Sequence, residues 1–167
     1  MLGLYENFPK TVHKTASFST SISNKRLQQA LIQTLQKTNN ENFNLEEIAN
    51  PSMPKCTVIL EFGIAEANSF SYLDNEETNK VLKAIQKNPL QVMDFFCALC
   101  YYKMQNAKKT PLRFDYYMMR FTFNKDSMEI QIFHERGPRY TSPDDLIQFV
   151  STELSKRFPK GKIKNQN

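Results

Sequence analysis

"NPLQVMDFFCALCYYKMQ" occupies residues 88–105, and the period assigned to it decides the architecture. Asn88 offers a capping side chain, Pro89 suits a first helical position, and Gln91 suits the third. Beyond them the run is apolar nearly all round: Leu90, Val92, Met93, Phe95, Phe96, Leu99, Tyr101, Tyr102 and Met104. That pattern reads as a helix buried on more than one side, the spine of the core. A face left uncovered by the rest of the chain would form a large apolar patch.

C-terminal to it, "PLRFDYYMMRFTF" (residues 111–123) is aromatic and extended, "NKDS" turns, and "MEIQIFHE" returns. This is an antiparallel hairpin. Leu112, Phe114, Tyr116 and Met118 share one face of its first strand; Tyr117, Met119, Phe121 and Phe123 share the other. Both faces are apolar, which predicts cover on both. Phe95 and Tyr102 of the spine, with Tyr117, Met119 and Phe121 of the strand, are therefore the candidate interface residues. The hairpin leads through "RGPRYT" into "SPDD", where Ser142 caps, Pro143 takes the first position and two acids fill the first turn. Leu146, Ile147, Val150 and Leu154 form the core stripe of that last helix.

N-terminal to it, "DNEE" (residues 74–77) is a capping box opening a helix with Val81, Leu82 and Ile85 inward. Residues 56–73 are extended, as one bent strand or as a hairpin. "NLEE" at 44–47 caps a short turn, and "NPSMP" with its two prolines closes a connection over about residues 38–55. Leu27, Ala30, Leu31, Thr34 and Leu35 mark a helix begun by Ser23 or Asn24. Before it, Val12, Ala16, Phe18 and Ile22 alternate with His13, Thr15, Ser17, Ser19 and Ser21, a half-buried strand with a hydroxyl-rich outer side. The sum is an α+β fold: a mainly antiparallel sheet with a C-terminal β-hairpin, and four main helices packed largely on one face.

The 167 residues suit one domain, assigned to 1–158, followed by a basic, mobile tail at 159–167. Five of the 22 basic residues (Lys156, Arg157, Lys160, Lys162, Lys164) and none of the 17 acidic ones fall after Leu154, so the body is neutral. With 13 phenylalanines, 7 tyrosines and no tryptophan, the core is Phe-rich. No long apolar run suggests a membrane span, and the N-terminus lacks the pattern of a signal peptide. Three cysteines (Cys56, Cys97, Cys100) in apolar runs read as reduced thiols of a cytoplasmic protein.

Chemistry is sparse. Cys97 and Cys100 form a CxxC inside a greasy segment, where a redox pair would want a helix start; zinc would want four ligands. No phosphate loop or hydrolase signature occurs. His134, Arg136, Arg139 and Tyr140 gather at the last strand's end and are the ligand- or anion-binding candidates. If the first strand neighbours the last, His13 approaches His134. Arg113 and Arg120 mix with aromatics but fall on opposite faces. No catalytic residue, metal site or cofactor is assigned. The leading expectation is a non-catalytic binding or assembly protein with a protein partner, or a homodimer, meeting it through an apolar interface. Two alternatives stand beside it: a nucleic-acid-binding module using Arg136, Arg139 and the basic tail, and an enzyme with a cleft around His134.

Overall fold

The structure is a computed structural model that describes residues 1–49 and 56–166. Along the chain run β1 (Lys14–Thr20), α1 (Asn24–Thr38), β2 (Asn42–Asn44), α2 (Leu45–Ile48), β3 (Cys56–Glu66) and β4 (Ser69–Tyr72). They are followed by α3 (Asn75–Lys87), β5 (Val92–Gln105), β6 (Lys108–Asn124), β7 (Ser127–Arg136), α4 (Pro143–Ser155) and β8 (Ile163–Asn165). The strands form a single antiparallel sheet in the order β2-β3-β5-β6-β7-β1-β8, with β4 paired to β3. The α+β class, the antiparallel sheet and the hairpin of β6 and β7 all hold. Of the two alternatives at 56–73, the hairpin is found, made by β3 and β4. Among the described residues, no helix is long and apolar enough to cross a membrane.

The spine is a strand, not a helix. β5 lies between β3 and β6 in the middle of the sheet, and its side chains alternate. Met93, Phe95, Cys97, Leu99 and Tyr101 are fully buried on the side that carries the helices, whereas Val92, Phe96, Ala98 and Tyr102 are half-buried on the other. A central strand apolar on both sides has the same composition as a buried helix, and periodicity alone does not part them. The capping signals at Asn88 and Pro89 are spent on a short connection. There Gln28 of α1, itself fully buried, pairs with Leu90: Leu90 N–H donates to Gln28 Oε1 at 2.8 Å, and the Gln28 amide donates back to the Leu90 carbonyl. The turn into β6 is the two-residue Asn106–Ala107, both left-handed at φ 52° and 64°, as a primed hairpin turn requires.

The helix starts behave as their sequences dictate. Ser23 accepts from Arg26 N–H, Asp74 from Glu77 N–H at 2.8 Å, and Ser142 from Asp145 N–H at 3.1 Å. Leu27, Leu31 and Leu35 of α1, Val81 and Ile85 of α3, and Leu146, Val150 and Leu154 of α4 form one core with the inward residues of the strands. The C-terminal segment, expected to leave the domain as a free tail, adds a last short strand to the sheet. β8 pairs with β1 from Phe18↔Asn165 to Thr20↔Ile163, and Gln166 N–H donates to the Ser17 carbonyl at 2.9 Å.

The strand geometry also disposes of the CxxC. In a strand, Cys97 and Cys100 point to opposite faces about 10 Å apart, beyond the roughly 7 Å that a disulfide spans between Cα atoms. All three cysteines are free and buried, and burial pushes their thiols up, Cys97 the furthest. Ellman's reagent at pH 8 is therefore expected to react slowly with native protein and to titrate three thiols after denaturation. Prompt reaction of any thiol in the native chain would contradict this packing.

Candidate functional site

The turn between β7 and α4 is built around one carboxyl group. Asp115 of β6 faces the helix side of the sheet and is fully buried. A buried carboxyl group must find its hydrogen bonds inside the protein. Its Oδ1 accepts from Arg139 N–H at 2.7 Å and lies 2.8 Å from His134 Nε2; its Oδ2 accepts from Tyr101 O–H at 2.7 Å and Tyr140 N–H at 2.9 Å. Thr141 completes the cluster: its hydroxyl meets Tyr101 at 2.9 Å, and its carbonyl accepts from the Tyr117 hydroxyl. Burial, with Asp115 alongside, pushes both phenols well above their usual range, so they serve as neutral donors. Gly137 makes the turn possible. Its φ is +120°, and a Cβ there would run into the Phe114 carbonyl and the Asp115 carboxyl group.

Three of the four anion-site candidates thus meet at one place. His134, Arg139 and Tyr140 converge on Asp115, the last two through their backbone amides. Those amides are the donors an anion would use, and an internal carboxyl group holds them. Asp115 itself was not among the candidates; its only signal in the sequence is an acid on the strand face shared with Tyr117, Met119 and Phe121. Arg136 goes the other way, its guanidinium 4.8 Å from the centre of the Tyr116 ring on the opposite side of the sheet. β1 does neighbour β7, but the two histidine rings do not stack: His134 N–H donates to His13 Nδ1 at 2.9 Å, while the His13 ring lies on Phe133 at 4.8 Å. The two Asp115 oxygens, the Tyr101 and Tyr117 hydroxyls and Thr141 are engaged in holding the turn. Among the described residues no three His, Cys, Asp or Glu side chains are grouped to hold a metal ion.

Among the described residues, no helix lies on the other face of the sheet. At one end it is covered by the N-terminal segment, stitched down through Asp94 of β5. That fully buried carboxylate pairs twice with Arg120 of β6, at 2.7 and 2.8 Å, and accepts from Tyr5 N–H at 2.7 Å. Arg120 also lies 4.3 Å from the centre of the Phe8 ring. Beyond this cover runs a chain of rings: Tyr5 on Phe70 at 4.7 Å, Phe70 to Phe96 at 5.6 Å, Phe96 to Tyr116 at 5.7 Å, and Tyr116 parallel to Phe114 at 5.9 Å. Its rings are half-buried up to Tyr116, while Phe114 is 44% exposed and neighbouring Leu112 40%. Here β7 has already turned away at Arg136, so Lys108–Phe114 of β6 is paired with β5 alone and is exposed throughout.

The interface candidates divide accordingly. Phe95, Tyr117, Met119 and Phe121 are fully buried beneath the chain's own helices. Tyr102 lies on the uncovered face, half-buried, with Lys109 Nζ 5.4 Å from its ring centre. The outward residues next to the candidates, Phe96 and Tyr116, are the ones that reach this face. No protein-family model matches the chain, and comparison with curated proteins and with solved structures finds no match either.

Two outcomes follow from the cluster. Asp115→Ala leaves several buried donors without an acceptor, and urea unfolding is expected to show a loss of about 3–5 kcal/mol; a loss under about 1 kcal/mol would mean that the turn holds without it. His13 is held below its usual pKa by the cost of desolvation, with Arg139 and His134 adding repulsion. Its neutral form accepts the His134 N–H, so its folded pKa lies below the unfolded one. Stability is then complete above the unfolded pKa, about 6.5, and falls as the pH drops toward the folded value. Melting temperature between pH 7.5 and 5.5 is expected to fall less in His13→Asn, whose side-chain carbonyl accepts without titrating.

Proposed function

We propose that this chain is a non-catalytic binding protein whose working surface is the uncovered face of the sheet. The observation that carries this is the series of rings Phe96, Tyr116 and Phe114, running into an exposed strand edge with none of the described helices above it. Large apolar side chains grouped on a surface mark a place where something binds. The polar cluster at Asp115 supports the non-catalytic half of the reading. A general base needs a free acceptor in reach of substrate. Here the Asp115 oxygens and the Tyr101 and Tyr117 hydroxyls are committed to one another and to the turn. The expectation of a broad apolar protein interface drew on Phe95, Tyr117, Met119 and Phe121. With those covered, the surface that remains is smaller, aromatic and bordered by cations.

Binding of 1-anilinonaphthalene-8-sulfonate, a dye that brightens on exposed apolar surface, tests the face directly. The native chain is expected to enhance its fluorescence. The Phe114→Ser/Tyr116→Ser double variant is expected to lose most of that while keeping its far-ultraviolet circular dichroism. Lys83→Ser, on the helical side, is expected to change nothing. A native chain that leaves the dye dark would remove the basis for a working surface here.

A further inference from the structure

We propose that the uncovered face and the arm formed by the far ends of β5 and β6 are a platform for single-stranded nucleic acid. This rests on the reading of that face as the working surface, and it names the ligand class. Two independent features meet there. The first is ring geometry. Tyr116 and Phe114 lie 5° from parallel, with Tyr102 on the same face, and Phe114 is among the most exposed large apolar side chains described. Exposed aromatic rings on a sheet stack unpaired bases, whose own faces a duplex hides.

The second is charge. From Phe95 to Phe114 the chain carries Lys103, Lys108, Lys109 and Arg113 and no acid at all. Arg136 joins them from β7, over the Tyr116 ring. On the uncovered face an acid, Glu61, stands in the cross-strand row of Ala98, Tyr116 and Arg136, and Glu135 lies at the strand end; Asp115, next to Phe114, is buried on the other side. Lys109, beside the Tyr102 ring, and Arg136, over Tyr116, lie on the uncovered face with the rings, while Lys103 and Arg113 alternate onto the other side of the exposed arm; cations set against aromatic rings suit a polyanion with flat bases better than an apolar protein surface. The neutral body read from the sequence conceals this, because its acids lie elsewhere. Nine residues of strand from Lys108 to Tyr116 extend about 30 Å, room for a site within the ~4–16 nucleotides of single-strand binding folds. The basic C-terminal segment is not part of it. β8 is paired to β1 at Phe18–Thr20, at the far edge of the sheet from the arm. Arg139 also lies outside it, in the turn on the helix side.

Fluorescence anisotropy of the full chain with labelled 12-nucleotide dT and rU oligomers, at 50 and 200 mM salt, tests this. Expected are micromolar binding of single strands at the lower salt and weaker binding of a 12-base-pair duplex. Phe114→Ala/Tyr116→Ala is expected to weaken binding about tenfold or more, the scale of base stacking on aromatic rings. Lys108→Ala/Lys109→Ala is expected to flatten the log–log salt slope by about 1.4, which is about 0.7 for each phosphate no longer neutralised. Lys162→Ala/Lys164→Ala is expected to leave affinity unchanged. All these positions outside β8 are exposed or half-exposed, and circular dichroism checks each fold. The proposal is overturned if no oligomer binds at 50 mM salt, or if the ring variant binds as the parent does. It is equally overturned if the β8 variant alone abolishes binding, or if polyglutamate competes as well as dT. A chain that brightens the dye and binds no oligomer, with light scattering giving a dimer mass that Phe114→Ser/Tyr116→Ser halves, would keep the working face and assign it to a second copy.

Discussion

A carboxyl group with no access to solvent dictates how this chain ends its sheet. Asp115 sits on the buried side of the longest strand and takes hydrogen bonds from β5, through Tyr101, and from β7 and the turn after it, through His134, Arg139 and Tyr140. To bring two successive amides to one carboxyl group, the chain must leave the sheet immediately after Arg136. It does so through Gly137, packed so tightly over Phe114 and Asp115 that no side chain fits. The pairing of β6 with β7 shifts register at Tyr116/Tyr117, at the same place. The segment of β6 that precedes Tyr116 is thereby left without a neighbour on that side. The exposed edge on which the functional reading rests is thus a consequence of satisfying one buried polar group.

A second buried carboxylate does the opposite work on the opposite face. Asp94 draws in Arg120 and the Tyr5 amide, and so fixes the N-terminal segment over one end of the uncovered side. Phe8 closes over the Arg120 guanidinium, so the pair is screened from water as well as neutralised. The two acids divide the outer face. Near Asp94 it is sealed by the chain itself. Near Asp115, where the strand that could have carried the cover has turned away, it stays open.

Both acids could be seen in the sequence, as lone charges within apolar runs, yet neither could be interpreted there. Asp94 in "VMDFF" reads as an interruption on a helix; only the register Asp94↔Arg120 makes it half of a pair. The same ambiguity governs residues 88–105 as a whole. Of the residues of β5 only Val92 is β-branched, and Leu, Met, Ala and Cys favour a helix as readily as a strand. The decision came from long-range pairing with β3 and β6, which no local pattern encodes. Elements with local causes were legible: the caps at Ser23, Asp74 and Ser142, the α1 stripe, the alternation of β1, and the facing of Phe114 and Tyr116 away from Tyr117 and Phe121. β8 was not, because three residues of a lysine-rich tail carry no period, and their pairing depends on the exposed edge of β1.

Cations on an unpaired strand have an ordinary explanation in edge protection. Lysines and a proline on an open edge discourage another strand from adding to it, and Lys108, Lys109 and Pro111 stand where such residues belong. That explanation accounts for the charge and leaves the rings unaccounted for. Protecting an edge asks for polar side chains on both faces of the exposed segment, whereas Leu112, Phe114 and Tyr116 present apolar surface beside the very lysines that would guard it. Nor does it account for Arg136, which lies one strand away and is spread over Tyr116. The proposed ligand, with flat apolar faces and a charged backbone, would answer both: the same lysines would refuse a β-strand and receive a phosphate, and the exposed rings would gain a cover.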